Sequence, residues 1–172
     1  DADGAGCPKT SKSTTCTISR LGQHVLSEVC STQPLVALSS GESELYSVVR
    51  AGIESQFLAH LLECFDHHVD QEIESDSSAA RGAASRQGVG KRLKHIETSE
   101  LHIQDQVNSG NIKIFKVGTK DNVADIGTKY LSKQDIERLV KLLGATWLAM
   151  QAKLVDAMQE EENAQAIGLI NQ

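Results

Sequence analysis

The stretch from Ser39 to Cys64 constrains this chain more than any other. Its apolar positions Leu45, Val48, Val49, Gly52, Leu58, Leu61 and Leu62 recur at helical intervals, behind a Ser39 and Glu42 pair with capping-box spacing. The pattern predicts one long helix ending near Cys64, with Gly52 a point where another backbone packs close. On either side the period changes. Thr14 to Leu26 alternates Thr, Cys, Ile, Leu and Val with polar partners around Gly22-Gln23, which predicts a hairpin. Gln71 to Ser75 is short enough for a strand ending at Asp76, and Asn111 to Val117 alternates with period two as the clearest strand of all. Helices are expected at Ser77 to Arg86, Glu97 to Val107, Val123 to Tyr130 and, capped by Ser132, Asp135 to Leu143, with a last helical stretch from about Thr146. A hairpin followed by helix, strand, helices, strand and helix makes an α/β layered domain with a mixed sheet.

Length allows one such domain: 172 residues divide into residues 1–145, the α/β unit, and residues 146–172, an acidic helical extension. Apolar residues make up 40% but aromatics only 3%, so the core must be built from Ala, Val, Ile and Leu. No apolar run approaches the roughly 20 residues of a membrane helix, and no basic-then-apolar signal opens the chain. Cys7, Cys16, Cys30 and Cys64 show no metal-ligand spacing and read as free thiols of an intracellular, non-secreted protein. The text around Asp1 already reads as the interior of a domain, as expected for a piece of a longer translation product.

The net charge of −6 has the wrong sign for holding nucleic acid by charge alone. Its distribution matters more. Half of the net negative charge lies in residues 151–172, where Lys153 stands against Asp156, Glu160, Glu161 and Glu162. Between Asp76 and Glu97 there is no acid, only Arg81, Arg86, Lys91, Arg92 and Lys94. Arg86, Lys91, Arg92 and Lys94 are candidates for phosphate contact, which Lys and Arg provide without reading sequence.

Four carboxylates fall where an α/β sheet can gather them: Asp1 on or just after the first strand, Glu44 in the first turn of the long helix, Asp76 at the end of a later strand and Asp125 opening a helix after the last strand. Carboxylates at close range cannot all stay ionised unless a cation compensates them, and an all-oxygen set suits magnesium or manganese. Two such ions can activate water and stabilise the leaving oxygen of a phosphodiester. Glu42 competes with Glu44, but it has the capping-box position and points to another helix face.

Specific text raises this set above chance. Asp1-Ala2-Asp3-x-Ala5-Gly6-Cys7 is followed by Lys12-Ser13-Thr14, then by the run from Gln33 through Pro34, Leu35, Val36, Ala37, Leu38 and Ser39 to Glu42-Ser43-Glu44. Asp76-Ser77-x-Ala79-Ala80, Lys94-His95-Ile96 and Asp121-Asn122-Val123-Ala124-Asp125-Ile126-x-Thr128-Lys129-Tyr130-Leu131 complete the series. In order and spacing these blocks resemble the ribonuclease H domain of copia-type LTR retrotransposon polyproteins, over about residues 1–131.

The resemblance implies a ribonuclease H-like fold, a five-stranded mixed sheet flanked by helices, with its first strand truncated at Asp1 and an extra C-terminal helix. It implies two-metal-ion hydrolysis, with Mg2+ or Mn2+, of the RNA strand of RNA/DNA hybrids. Asp1 would bridge both ions, Asp125 would complete one ion site, and Glu44 with Asp76 would complete the other. The implied partners are the hybrid and the reverse transcriptase domain of the same polyprotein, in a cytoplasmic particle. The family has an aromatic residue where this chain has Gly4, expected to loosen packing beside Asp1. Asp1 itself is expected to fray unless tied down. Both departures also fit a degenerate relic that binds nucleic acid without cutting it.

Overall fold

The structure, a computed structural model, describes residues 1–88 and 98–144. Gly22 and Gln23 turn β1 (Thr14–Leu21) back into the antiparallel β2 (His24–Thr32), with a register shift at Ser19 and Arg20. The helix α1 (Ser40–Glu63) follows, its N-cap Ser39 accepting a hydrogen bond from the Glu42 N–H. The Glu42 carboxylate accepts from the Leu38 N–H at 2.9 Å, one residue before the cap that a regular capping box would serve. β3 (Gln71–Ser75), α2 (Ser78–Ala84), α3 (Thr98–Asn108) and β4 (Ile112–Lys116) come next, and β4 pairs in parallel with β3, as the intervening helices allow. Two short 3-10 segments, Thr119–Asp121 and Val123–Gly127, lead to α4 (Lys133–Leu142), capped by Ser132.

The core lies where α1 meets the β3–β4 pair: Leu45, Val48 and Val49 pack with Ile73, Ala80, Ala83, Ala84, Ile103 and Ile112. None of these is aromatic, so α2 must come close, and its alanines let it. Burying each larger aliphatic contributes about 1.5–3 kcal/mol. The buried face of α1 is confined to its first half; Phe57 and Leu61 further on are largely exposed.

Several expectations change. One five-stranded sheet is not what the described residues form: they hold two two-stranded ladders, β1–β2 and β3–β4, both packed on α1. The segment Asp1 to Asp3 runs along the free edge of β1 but makes one bridge, Ala2 to Thr15, too short a ladder to link β1 with β3. Between those two strands lies a cavity of about 420 Å³, spanned by the Arg20–Glu74 ion pair at 3.3 Å. Gly52 is indeed a close approach, but to the Ile103 side chain, which a methyl group there would overlap, and not to a backbone. The helix expected over Val123 to Tyr130 is a 3-10 segment ending at Gly127. Gly4 has φ +52 in an exposed turn, with open space where a Cβ would stand. Lys91, Arg92, Lys94 and His95, and the extension expected over residues 146–172, lie outside the described residues.

Candidate metal centre

Asp1 is held on both sides. Its N–H donates to the Cys16 carbonyl at 3.1 Å and its carbonyl accepts from the Cys16 N–H at 3.0 Å, so the backbone is fixed to β1. From below, the Ser47 hydroxyl of α1 donates to the same Asp1 carbonyl at 2.8 Å. Ser47 is itself 3.1 Å from the Thr15 hydroxyl, which accepts from the Gln33 amide at 2.9 Å; that amide also donates to the Ser43 carbonyl. This buried network of Gln33, Thr15 and Ser47 locks the start of β1 to α1 and sets the distance between Asp1 and Glu44. Ordering by such bonds is what keeps a segment at the chain's edge from fraying.

The Asp1 side chain is fully buried and its oxygens are occupied. Asn122 donates to one at 3.2 Å, the Thr128 hydroxyl donates to the other, and Lys129 sits 3.3 Å from the first. Lys129 also reaches Asp125 at 2.9 Å, an i,i+4 pair on the same turn. One ammonium therefore bridges Asp1 and Asp125.

Glu44 arrives from near the N-terminal end of α1, just past its first turn, and Asp76 from the residue after β3, where Ser77 caps α2. Oxygens of Asp1, Glu44 and Asp76 lie within 4.8 Å of one another. Burial pushes the Glu44 carboxyl up from its ordinary value of 4.5, and the Asp76 carboxylate adds to that, against the Asp1 amino group, the Ala2 N–H and Lys129. Among the described residues no hydrogen bond or ion pair binds the Asp76 carboxylate. Three hard oxygen donors crowded together, one of them driven toward its neutral form, are the donor chemistry a divalent cation satisfies.

The structure thus brings Asp1, Glu44 and Asp76 together directly and joins Asp125 to them through Lys129. Glu42 lies elsewhere: it is buried, with its carboxylate on the Leu38 N–H and the Tyr46 hydroxyl. Arg86 is exposed just past α2, while Arg81 folds back to donate to the Ser75 carbonyl at 2.6 Å, closing the end of β3. Sequence reasoning assigned no role to Ser47, Gln33, Asn122, Thr128 or Lys129. Four of these stand in the blocks quoted above, and their signal was polar residues of a kind that a core made of Ala, Val, Ile and Leu has no packing use for.

Comparison with known proteins bears on the same region. The chain is 32% identical over 148 residues to the retrovirus-related Pol polyprotein from transposon RE1 of Arabidopsis thaliana, and 32% identical over 146 residues to that of transposon RE2 from the same plant. It is 28% identical over 145 residues to the retrovirus-related Pol polyprotein from transposon TNT 1-94 of Nicotiana tabacum. The chain is homologous to a segment of transposon Pol polyproteins. These matches cover 84–85% of the chain and reach past the residues 1–131 that the motif blocks span. The chain spans only about a tenth of the length of these relatives, 10% of the RE1 and RE2 polyproteins and 11% of TNT 1-94. No protein-family model matches it, and no solved structure does. Among the described residues no helix is long and apolar enough to cross a membrane.

Proposed function

We propose that this chain is the ribonuclease H domain of a transposon polyprotein, hydrolysing the RNA strand of RNA/DNA hybrids with divalent cations. The observation that carries the reading is the convergence of Asp1, Glu44 and Asp76 within 4.8 Å from three separate elements. Those three residues would hold one hard cation. Asp1 and Asp125 would hold a second, at the place where Lys129 now supplies the positive charge. Bound cations supply Lewis acidity and lower the pKa of water, so a dedicated general base is not required. The chain's own part is to keep the carboxylates fixed: Asn122 and Thr128 orient Asp1, and the Ser47 network holds its backbone. Lys129, 37% exposed at its side chain, would give up the carboxylates to the cation and reach a phosphate oxygen of the substrate.

In this reading the cavity between β1 and β3 takes a fifth strand, continuing the Ala2–Thr15 bridge antiparallel to β1 and joining the two ladders into one mixed sheet. Arg86, with Lys91, Arg92 and Lys94, would contact the backbone of the hybrid, while selectivity would come from groove shape and 2′-hydroxyls. The partner in the polyprotein would be reverse transcriptase. A second reading, a nucleic-acid-binding relic without activity, draws on the Lys129 ammonium standing between Asp1 and Asp125. Incubation with an end-labelled RNA/DNA hybrid in Mg2+ or Mn2+ tests both. Cleavage of the RNA strand that EDTA abolishes supports the enzyme; binding of the hybrid in EDTA with no cleavage in either metal supports the relic and ends the enzymatic reading.

A further inference from the structure

Away from the carboxylates, Cys16 of β1 and Cys30 of β2 stand directly opposite each other in the antiparallel ladder, and their sulfurs lie within 4.8 Å of each other. All four cysteines of the chain are free thiols. Directly opposed residues of an antiparallel pair have Cα atoms about 4.5 or 5.5 Å apart, whichever kind of pair they form. A disulfide accepts Cα separations of roughly 4.4–6.8 Å. Backbone rearrangement is therefore not needed to join these two sulfurs; rotation of the side chains is enough.

Glu28, two residues before Cys30 on the same face, places a carboxylate oxygen within 4.8 Å of both sulfurs, so a bound soft metal is the competing use of the cluster. A closed thiolate site needs a fourth donor. Gly127 lies against both sulfurs, where a methyl group would overlap Cys30, and it has no side chain to donate. We propose that Cys16 and Cys30 form a reversible cross-strand disulfide. Cys30 is exposed and Cys16 wholly buried, so Cys30 meets an oxidant first.

With oxidised glutathione as that oxidant, the Cys30 thiolate attacks one glutathione sulfur, forming a mixed disulfide and expelling the other as a thiolate that takes up a proton. Cys16 then attacks the Cys30 sulfur, its own proton passing to the second glutathione as it leaves. One glutathione disulfide is reduced to two thiols while one protein disulfide forms. The bond also reports on the carboxylate site: Gly127 immediately precedes Thr128, whose hydroxyl holds Asp1, so drawing the sulfurs together changes what supports that residue.

The test equilibrates the full chain in glutathione mixtures of increasing oxidised fraction, quenches with alkylating reagent under denaturing conditions, and measures intact mass and peptide maps. The expected result is loss of two alkylatable thiols of the four, mapping to Cys16 and Cys30, in a monomeric chain without glutathione adduct, restored by dithiothreitol. The oxidised chain should also unfold at a higher temperature than the reduced one. Cys30→Ser, at an exposed position, should keep all three remaining thiols alkylatable and lose that difference in midpoint. Four alkylatable thiols in the most oxidising buffer would overturn the proposal. So would protection that maps to Cys7 or Cys64, or protection that depends on zinc and appears as a zinc adduct.

Discussion

The two ends of the carboxylate pocket handle the same problem in opposite ways. At the Asp1–Asp125 end the protein supplies its own cation, Lys129, with Asn122 and Thr128 completing the coordination of Asp1 by hydrogen bonds. At the Glu44–Asp76 end no ion pair forms among the described residues; the Asp1 amino group and Lys129 offset part of the charge, and burial still leaves Glu44 holding its proton more tightly. The first end is built to be stable as it stands. The second gathers like charge that the chain's own cations offset only in part and an added cation relieves further, as expected where binding matters more than stability.

Removing a carboxylate from the less compensated end should have the largest effect. Asp76→Asn should cut metal-dependent cleavage of a hybrid by at least about 100-fold, since losing groups one shell further out from a metal already costs about 10–100-fold. In EDTA the same variant should be more stable by about 1 kcal/mol, because a repulsion of a few kcal/mol at close range is screened in a half-exposed pocket. Activity loss paired with a gain in stability marks a ligand. A variant that loses both was holding the fold together instead, and the contrast between the two ends would fail.

Lys129→Met should act with the opposite sign. It strips the compensated end of its cation and leaves two buried carboxylates facing each other, which should cost about 2 kcal/mol in EDTA. The variant should gain more stability than the parent from added Mn2+, and its half-saturating concentration should fall about tenfold, the equivalent of roughly 1.4 kcal/mol of removed competition. Thermal unfolding across a Mn2+ titration measures both numbers. An unchanged midpoint concentration would mean that Lys129 and the cation do not compete.

The pH dependence sharpens the contrast further. A carboxyl whose folded pKa is raised binds its proton more tightly in the folded state, so its contribution is fully present below the ordinary value of 4.5 and is lost as pH rises through the folded value. The parent should therefore lose stability relative to Glu44→Gln on going upward from pH 4.5, and Mn2+ should close the gap by favouring the ionised form. Urea unfolding at a series of pH values reads this. Parallel curves for parent and variant would remove Glu44 from the crowded end.

What could be read in the sequence follows a physical division. Elements specified locally were legible: α1 and its Ser39 cap, β3 and β4 fall within a few residues of their expected limits, because periodicity and capping act over one or two turns. The Gly22-Gln23 turn is where it was expected, though the second hairpin strand runs on past Leu26 to Thr32. Sheet assembly was not legible, since whether β1 and β3 join one sheet is not set by either strand's own pattern. Choosing Glu44 over Glu42 rested on helix-face geometry, and the two do part in the structure, Glu42 turning to Leu38 and Tyr46. Lys129 was out of reach for a different reason. An i,i+4 relation to Asp125 is visible in the sequence, but its contact with Asp1 spans nearly the whole domain, and only folding supplies it.

The smallest effect expected is also the finest probe of the compensated end. Thr128 donates to the Asp1 carboxylate and holds no charge, so Thr128→Val removes one hydrogen bond while preserving the shape of the side chain. With Asn122 and Lys129 still in place, the loss should be about 1 kcal/mol, the usual net worth of such a bond. Because Asp1 also belongs to the crowded cluster, the variant tests whether the two ends are mechanically separate. If they are, Thr128→Val loses stability to the same extent in EDTA and in saturating Mn2+. If the hydroxyl instead aims Asp1 toward Glu44 and Asp76, the loss should be larger with Mn2+ present, and a double-mutant cycle with Asp76→Asn should show coupling above the few tenths of a kcal/mol expected of independent sites.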